Sequence, residues 1–101
     1  MFVVIVHYIK ALTEIEPLIQ VHREFLAHGY ELGILLCSGP QVPRHGGIIL
    51  AKAPDRETLM NFLRQDPFYR AKVAEYQVLE FTPTQWAEYA HQIFNSDKFK
   101  S

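Results

Sequence analysis

The stretch FVVIVHYI, Phe2 to Ile9, decides the fold. It is rich in β-branched and aromatic residues, which pack well on a pleated surface. Successive side chains of a strand leave on opposite sides, and here both sets are dominated by apolar groups. A strand with one wet face would alternate apolar and polar residues. This one reads as covered on both faces, so its surroundings must supply two apolar layers.

The next segment supplies one of them. In TEIEPLIQVHREFLAHG, Thr13 to Gly29, the residues Ile15, Leu18, Ile19, His22, Phe25 and Leu26 recur at helical spacing. Pro17 suits the first turn of that helix, and Gly29 the position just past its end. LGILLCSG, Leu32 to Gly39, is a second strand, with Cys37 read as a small core residue. PQVPRHGG, Pro40 to Gly47, is a turn or loop, and IILAKA, Ile48 to Ala53, a third strand. DRETLMNFLRQD, Asp55 to Asp66, is a second helix with Asp55 as N-cap and Leu59, Phe62 and Leu63 as its apolar stripe. AEYQVLEF, Ala74 to Phe81, alternates as a fourth strand. TPTQWAEYAHQIF, Thr82 to Phe94, reads as a terminal helix: Thr82 and Gln85 match a capping box, Pro83 takes the first position, and Trp86, Tyr89, Ala90 and Ile93 form a stripe. NSDKFKS, Asn95 to Ser101, reads as a loose tail.

The order β-α-β-β-α-β is the split βαβ arrangement: an α+β, ferredoxin-like fold over residues 1–83, followed by a helix and tail over residues 84–101. Right-handed crossovers put both helices on one sheet face. The other face is then bare, although the first strand is apolar on that side too. An apolar sheet face of this size marks an interface, so a homodimer packed sheet to sheet is expected. The alternative is that the terminal helix covers that face within one chain.

Composition narrows the function. The 101 residues are 49% hydrophobic and 21% charged with a net charge of −1, and no basic stripe suggests a nucleic-acid partner. No apolar run is long enough to span a bilayer. The single Cys37 excludes an internal disulfide; with no secretory leader at the start, a cytoplasmic protein is expected. The histidines lack zinc spacing, since His22 and His28 fall on different helix faces. Gly46 and Gly47 do not lead into a helix and form no phosphate loop. Neither a metal nor a cofactor is therefore expected.

Two residues interrupt the inward stripes. His22 lies four residues from both Leu18 and Leu26; Pro67 pushes Asp66 out of the helical region and ends the second helix nearby, and if that helix reaches Asp66 the carboxylate extends the stripe of Phe62 and Leu63. An imidazole and a carboxylate are thus aimed at one apolar region. A carboxylate suits the C-terminal end of a helix poorly, and a cationic His22 facing Asp66 would explain its place. Such a pair can do general acid–base chemistry, the carboxylate fixing the tautomer and the imidazole moving the proton. The plainer reading makes His22 a satisfied core histidine and Asp66 a turn former before Pro67. Arg44 and His45 sit on the β2–β3 loop, where they could meet an anionic substrate or form only a solvated hairpin tip. Of His7 and Tyr8, one faces the helices and can line a pocket, with core packing as the alternative.

HREFLAHG, CSGP, GGIILAKA and above all DPFYRAKVAEYQVLEF, in that order and spacing, resemble the YciI-like, or YCII-related, family over residues 1–81. The resemblance implies a ferredoxin-like domain that pairs into a dimeric α+β barrel. It also implies an active site made of the histidine matching His22 and the aspartate matching Asp66. Tyr8, Arg44, His45 and Phe68 are the residues expected on the substrate side. Where relatives often carry a small residue and a glycine after the Asp-Pro-aromatic motif, this chain has YRAKV. Three functional readings follow. The first is a small cofactor-independent enzyme performing hydrolysis, elimination or isomerisation on a small organic substrate. The second is a non-catalytic homodimeric module that binds a small molecule or a partner. The third, by architecture alone, is an isomerase or monooxygenase of the wider α+β barrel group.

Overall fold

In the computed structural model, which describes residues 1–94, the strand that opens the chain lies inside a four-stranded sheet. The strands are β1 (Phe2–Tyr8), β2 (Leu35–Pro40), β3 (Gly46–Ala51) and β4 (Ala74–Glu80), in the order β2-β3-β1-β4, with every neighbouring pair antiparallel. The helical elements are α1 (Leu12–Ile15), α2 (Ile19–Glu31), α3 (Arg56–Leu63), α4 (Pro67–Arg70) and α5 (His91–Phe94), with 3-10 turns at Glu16–Leu18 and Glu88–Ala90. This is a small α+β fold of ferredoxin-like type. The core joins Phe2, Val4 and Val6 of β1 and Ile49 and Ala51 of β3 to Ile15, Leu59, Phe62, Leu63 and Phe68 from the helical side. Each of these large apolar side chains contributes about 1.5–3 kcal/mol by leaving water. On the opposite face Val3 pairs with Leu50 and Leu79, and Ile5 with Ile48. Ile48 and Leu79 there stay exposed.

Four expectations are corrected. The first helix is not continuous from Thr13 to Gly29: Pro17 sits in a 3-10 turn between α1 and α2. Nor does Gly29 end it. Gly29 is buried inside α2, where a Cβ would lie 2.5 Å from the Phe62 ring and 2.7 Å from Leu35, so its bare backbone lets the helix settle on its neighbours. The helix stops at Gly33, whose φ of 76° is the left-handed conformation that glycine adopts freely. Ile34 N–H donates to the Gly29 carbonyl and Gly33 N–H to that of Tyr30, the paired bonds that close a helix C-terminus. Third, Cys37 is exposed rather than in the core. A β-bulge between Leu35 and Cys37 shifts the register of β2 against β3, so that Ser38 pairs with the buried Ile49 and Cys37 with Leu50.

The fourth correction concerns the C-terminal segment. No helix starts at Thr82 and the capping box does not form; residues 81–87 carry no regular structure, and helical turns occupy only Glu88–Phe94. Pro83 is buried, Trp86 stacks on Phe94 at 5.6 Å, and Lys52 Nζ donates to the Ile93 carbonyl at 2.9 Å. Tyr89, expected on an inward stripe, is 93% exposed. Trp86 closes on Phe94 within the segment, and local helix propensity is weak where tertiary packing of an apolar face does not back it. The expected tail, residues 95–101, lies outside the described residues.

Candidate active site

Among the described residues Asp66 is the only charged one that is buried, at 0% exposure. The second helix does not reach Asp66: as Pro67 leads one to expect, α3 ends at Leu63, and Asp66 adopts an extended conformation (φ −61°, ψ 130°), here as N-cap of α4. Pro67 imposes both changes, since it disfavours helical geometry at the residue before it and suits the first position of the next turn. The carboxylate therefore meets free amides rather than the carbonyls of a helix end. Its Oδ1 accepts from Phe68 N–H at 2.9 Å and contacts His22 Nδ1 at 2.8 Å. The turn-former and partner roles thus coexist in one oxygen. Its Oδ2 accepts a short bond from the Tyr76 hydroxyl.

Because both oxygens of Asp66 already accept, Nδ1 is the donor to it, and the lone pair of the neutral ring belongs to Nε2. The His22 ring lies flat on Phe68, with centroids 3.9 Å apart and planes 8° from parallel. Phe68 in turn meets Tyr8 edge-on at 5.9 Å. His22 keeps 16% of its side chain accessible. It lines a cleft of about 400 Å³ whose walls include Val6, Ile19, Leu26, Ile49 and Phe68, within the roughly 300–1,000 Å³ usual for small-molecule sites.

Of the expected substrate-side residues, Tyr8, Arg44 and Phe68 line this cleft and His45 does not. The His45 backbone instead pins the loop: its carbonyl accepts from Tyr8 N–H and its N–H donates to Pro43. Gln41 adds bonds from its side chain to the Val6 and Gly47 carbonyls. With the loop tied down, Arg44 stands over the Tyr8 ring, 5.8 Å from its centroid. His7 falls on the other face of β1 from Tyr8.

Three residues escaped the sequence reading. Tyr76 shares the helix-facing side of β4 with Ala74 and Val78, and a buried tyrosine hydroxyl needs a partner; that need was the available signal. Arg23 and Ser38 also line the cleft. Arg23 lies one residue past His22 on an exposed side of α2, and the side taken by Ser38 depends on the bulge.

Burial first, then the adjacent Asp66 carboxylate, pushes Tyr76 well above the usual phenol range, so its hydroxyl remains a donor. In the unfolded chain it would ionise near its ordinary 10.0. Above that pH the unfolded state releases a proton that the native state retains, and stability falls as pH rises. Urea titrations from neutral to strongly alkaline pH are expected to show this loss, and Tyr76→Phe should make the alkaline limb shallower. An unchanged limb would count against a buried Tyr76–Asp66 bond. Among the described residues no group of histidines, cysteines and carboxylates is arranged to hold a metal, and no helix is long and apolar enough to cross a membrane.

A four-stranded α+β domain whose helical face hides a carboxylate behind a cleft-lining imidazole is a narrow class. The chain belongs to the YCII-related domain family, whose model matches residues 1–82. Curated proteins provide no match. Among solved structures, the chain is similar to 5-chloro-2-hydroxyhydroquinone dehydrochlorinase from Burkholderia phenoliruptrix, determined in complex with 2,5-dihydroxybenzoquinone. The identity is 16% over 80% of this chain and 93% of that one, with a TM-score of 0.58, so the likeness is one of fold.

Proposed function

We propose that this chain is a small enzyme of the YCII-related family in which His22 is the general acid/base and Asp66 its orienting partner. The observation that carries the reading is the 2.8 Å contact between His22 Nδ1 and Asp66 Oδ1, made at the wall of the cleft, with no partner bonded to Nε2 among the described residues. Nε2 takes a proton from a C–H or O–H group of a small organic substrate. The positive charge that develops on the ring is met by the carboxylate behind it. In an elimination the electron pair left on the substrate expels the leaving group; in an isomerisation the proton returns at another atom; in a hydrolysis the proton comes from water. Phe68 keeps the imidazole from rotating out of line. The name of the similar structure supports a ring-sized substrate, and the apolar walls agree with one.

The test begins with 5-chloro-2-hydroxyhydroquinone, followed by other hydroxylated ring compounds, with turnover read by absorbance. His22→Gln should lower kcat/KM by about a hundredfold or more, the usual worth of positioned acid–base assistance. Ring ¹⁵N shifts should show the Nδ1–H tautomer in the native protein and its loss of preference in Asp66→Asn. Compounds that bind without turning over, with His22→Gln making no difference, would leave the cleft a binding site.

The apolar sheet face, on which Ile48 and Leu79 are exposed and Val3, Ile5 and Leu50 half-buried, supports assembly as a homodimer that closes an α+β barrel with a second copy. Sedimentation should give a dimer, and Ile5→Glu a folded monomer, because a charge buried without a partner at an interface centre is costly. A native protein that sediments as a monomer would refute it.

A further inference from the structure

The proposed reaction leaves the chemical character of the substrate open, and the charges around the cleft bear on it. Arg23, from α2, and Arg44, from the β2–β3 loop, both line it together with His22. No aspartate or glutamate does. The nearby Asp66 is fully buried, with its oxygens turned to His22, Phe68 and Tyr76, so it presents no free acceptor to a ligand. Among the described residues neither arginine has a carboxylate partner: the ion pair between side chains there is His22–Asp66. Arg44 is held over the Tyr8 ring rather than against an acid. That placement steers a guanidinium along the cleft wall while leaving its N–H donors unused. Two unpaired guanidinium groups at the border of an apolar hollow form an incomplete electrostatic set, and low-dielectric walls strengthen their pull on an anion.

The lining bears on shape as well. Beside Ser38, Pro40, Ile48 and Ile49, the β2–β3 contribution includes Gly39, Gly46 and Gly47, which add no side chains. A Cβ at Gly39 would meet nothing within 4 Å. The flat rings of His22 and Phe68, stacked 8° from parallel, line the same cleft.

We propose that the cleft takes a planar organic anion, a ring or conjugated frame bearing a carboxylate or enolate, whose charged oxygens are bound by Arg23 and Arg44 while the frame lies within reach of His22. The inference rests on the reading of the cleft as a substrate site and adds the substrate's charge. Guanidinium forks suit a carboxylate because two parallel N–H donors match its two oxygens. A neutral ring of the same shape gains only the apolar contacts, and a cation is repelled.

Benzoate and its near-isostere benzamide separate charge from shape. Calorimetric titration of the full chain should show saturable benzoate binding at least about tenfold tighter than benzamide, the effect of one good charge-assisted contact. Arg44→Gln and Arg23→Gln should each weaken benzoate by about fivefold or more and leave benzamide unchanged. Both side chains are exposed, so neither substitution threatens the core. Arg70→Gln, on α4 and outside the cleft, should leave benzoate affinity unaltered and so controls for loss of overall charge. Equal affinity for the two probes, no saturable binding of benzoate, or arginine variants that bind it as well as the native chain would overturn the proposal. The acid–base reading fails separately, on turnover by His22→Gln. A cleft that prefers benzoate while His22→Gln keeps full activity would retain the anion site and discard the catalytic role.

Discussion

Asp66→Ala is expected to lower the free energy of unfolding by about 4 kcal/mol, because each buried donor left without an acceptor costs about 1–3 kcal/mol. Three donors are stranded at once: His22 Nδ1–H, the Phe68 amide and the Tyr76 hydroxyl. The N-cap of α4 goes with them, a further loss of about 1 kcal/mol in favourable cases. That is a large part of the 5–15 kcal/mol or so that holds a small domain together. Asp66→Asn keeps an acceptor oxygen and the volume, and should cost about half as much, since one amide group cannot accept at both ends. Adding Tyr76→Phe to Asp66→Ala removes one stranded donor and should recover about 1 kcal/mol. Urea denaturation of the four proteins measures all of these. A loss below about 1 kcal/mol in Asp66→Ala would mean that the carboxylate is not the common acceptor described above.

The second large effect comes from a residue with no side chain. Gly46 opens β3 with φ of 155°, and a Cβ placed there would lie 1.7 Å from the Val6 carbonyl oxygen. Backbone cannot rotate away as a side chain can, so any substitution must push β3 off β1. Gly46→Ala should cost about 3 kcal/mol or more, combining backbone strain with lost strand pairing. The damage should be local before it is global: Tyr8, Gln41 and Arg44 depend on that end of the β1–β3 pair, so hydrogen exchange should accelerate there first. Gly47→Ala is the comparison. Its Cβ would meet the Gly39 carbonyl at 3.2 Å, a shift of a few tenths of an ångström, and should cost less than about 1.5 kcal/mol. Similar losses at the two positions would contradict the close approach at Gly46.

Four strands, two main crossover helices and the His22–Asp66 pairing were legible because each rests on a periodicity that burial enforces. Apolar residues on both sides of β1 required an inner strand. Two inward stripes broken by polar groups aimed an imidazole and a carboxylate at one region, where the two meet. What was not legible depends on contacts between distant segments. Gly29 looked like a terminator because glycine often is one; only the Phe62 and Leu35 side chains pressed against it show that it is a packing site. The Thr82–Gln85 capping signal was sound in isolation, but no packing partner favours a helix at that point of the chain. The effect of Pro67 on Asp66 was legible in part: the proline takes Asp66 out of the helix, but it also starts a new turn that Asp66 caps.

The bulge in β2 is the smallest departure from regularity in the sheet, and it acts as a selector of elements. In an unbroken register Leu36 would pair with Leu50, Cys37 with Ile49 and Ser38 with Ile48, so sulfur would take the cleft side and oxygen the open face. The single unpaired residue reverses that assignment without altering the identity of either side chain. Whether a soft, oxidisable atom or a hard hydroxyl shares the wall with His22 is therefore written in the parity of strand length. An insertion or deletion of one residue there would exchange the two as surely as a substitution.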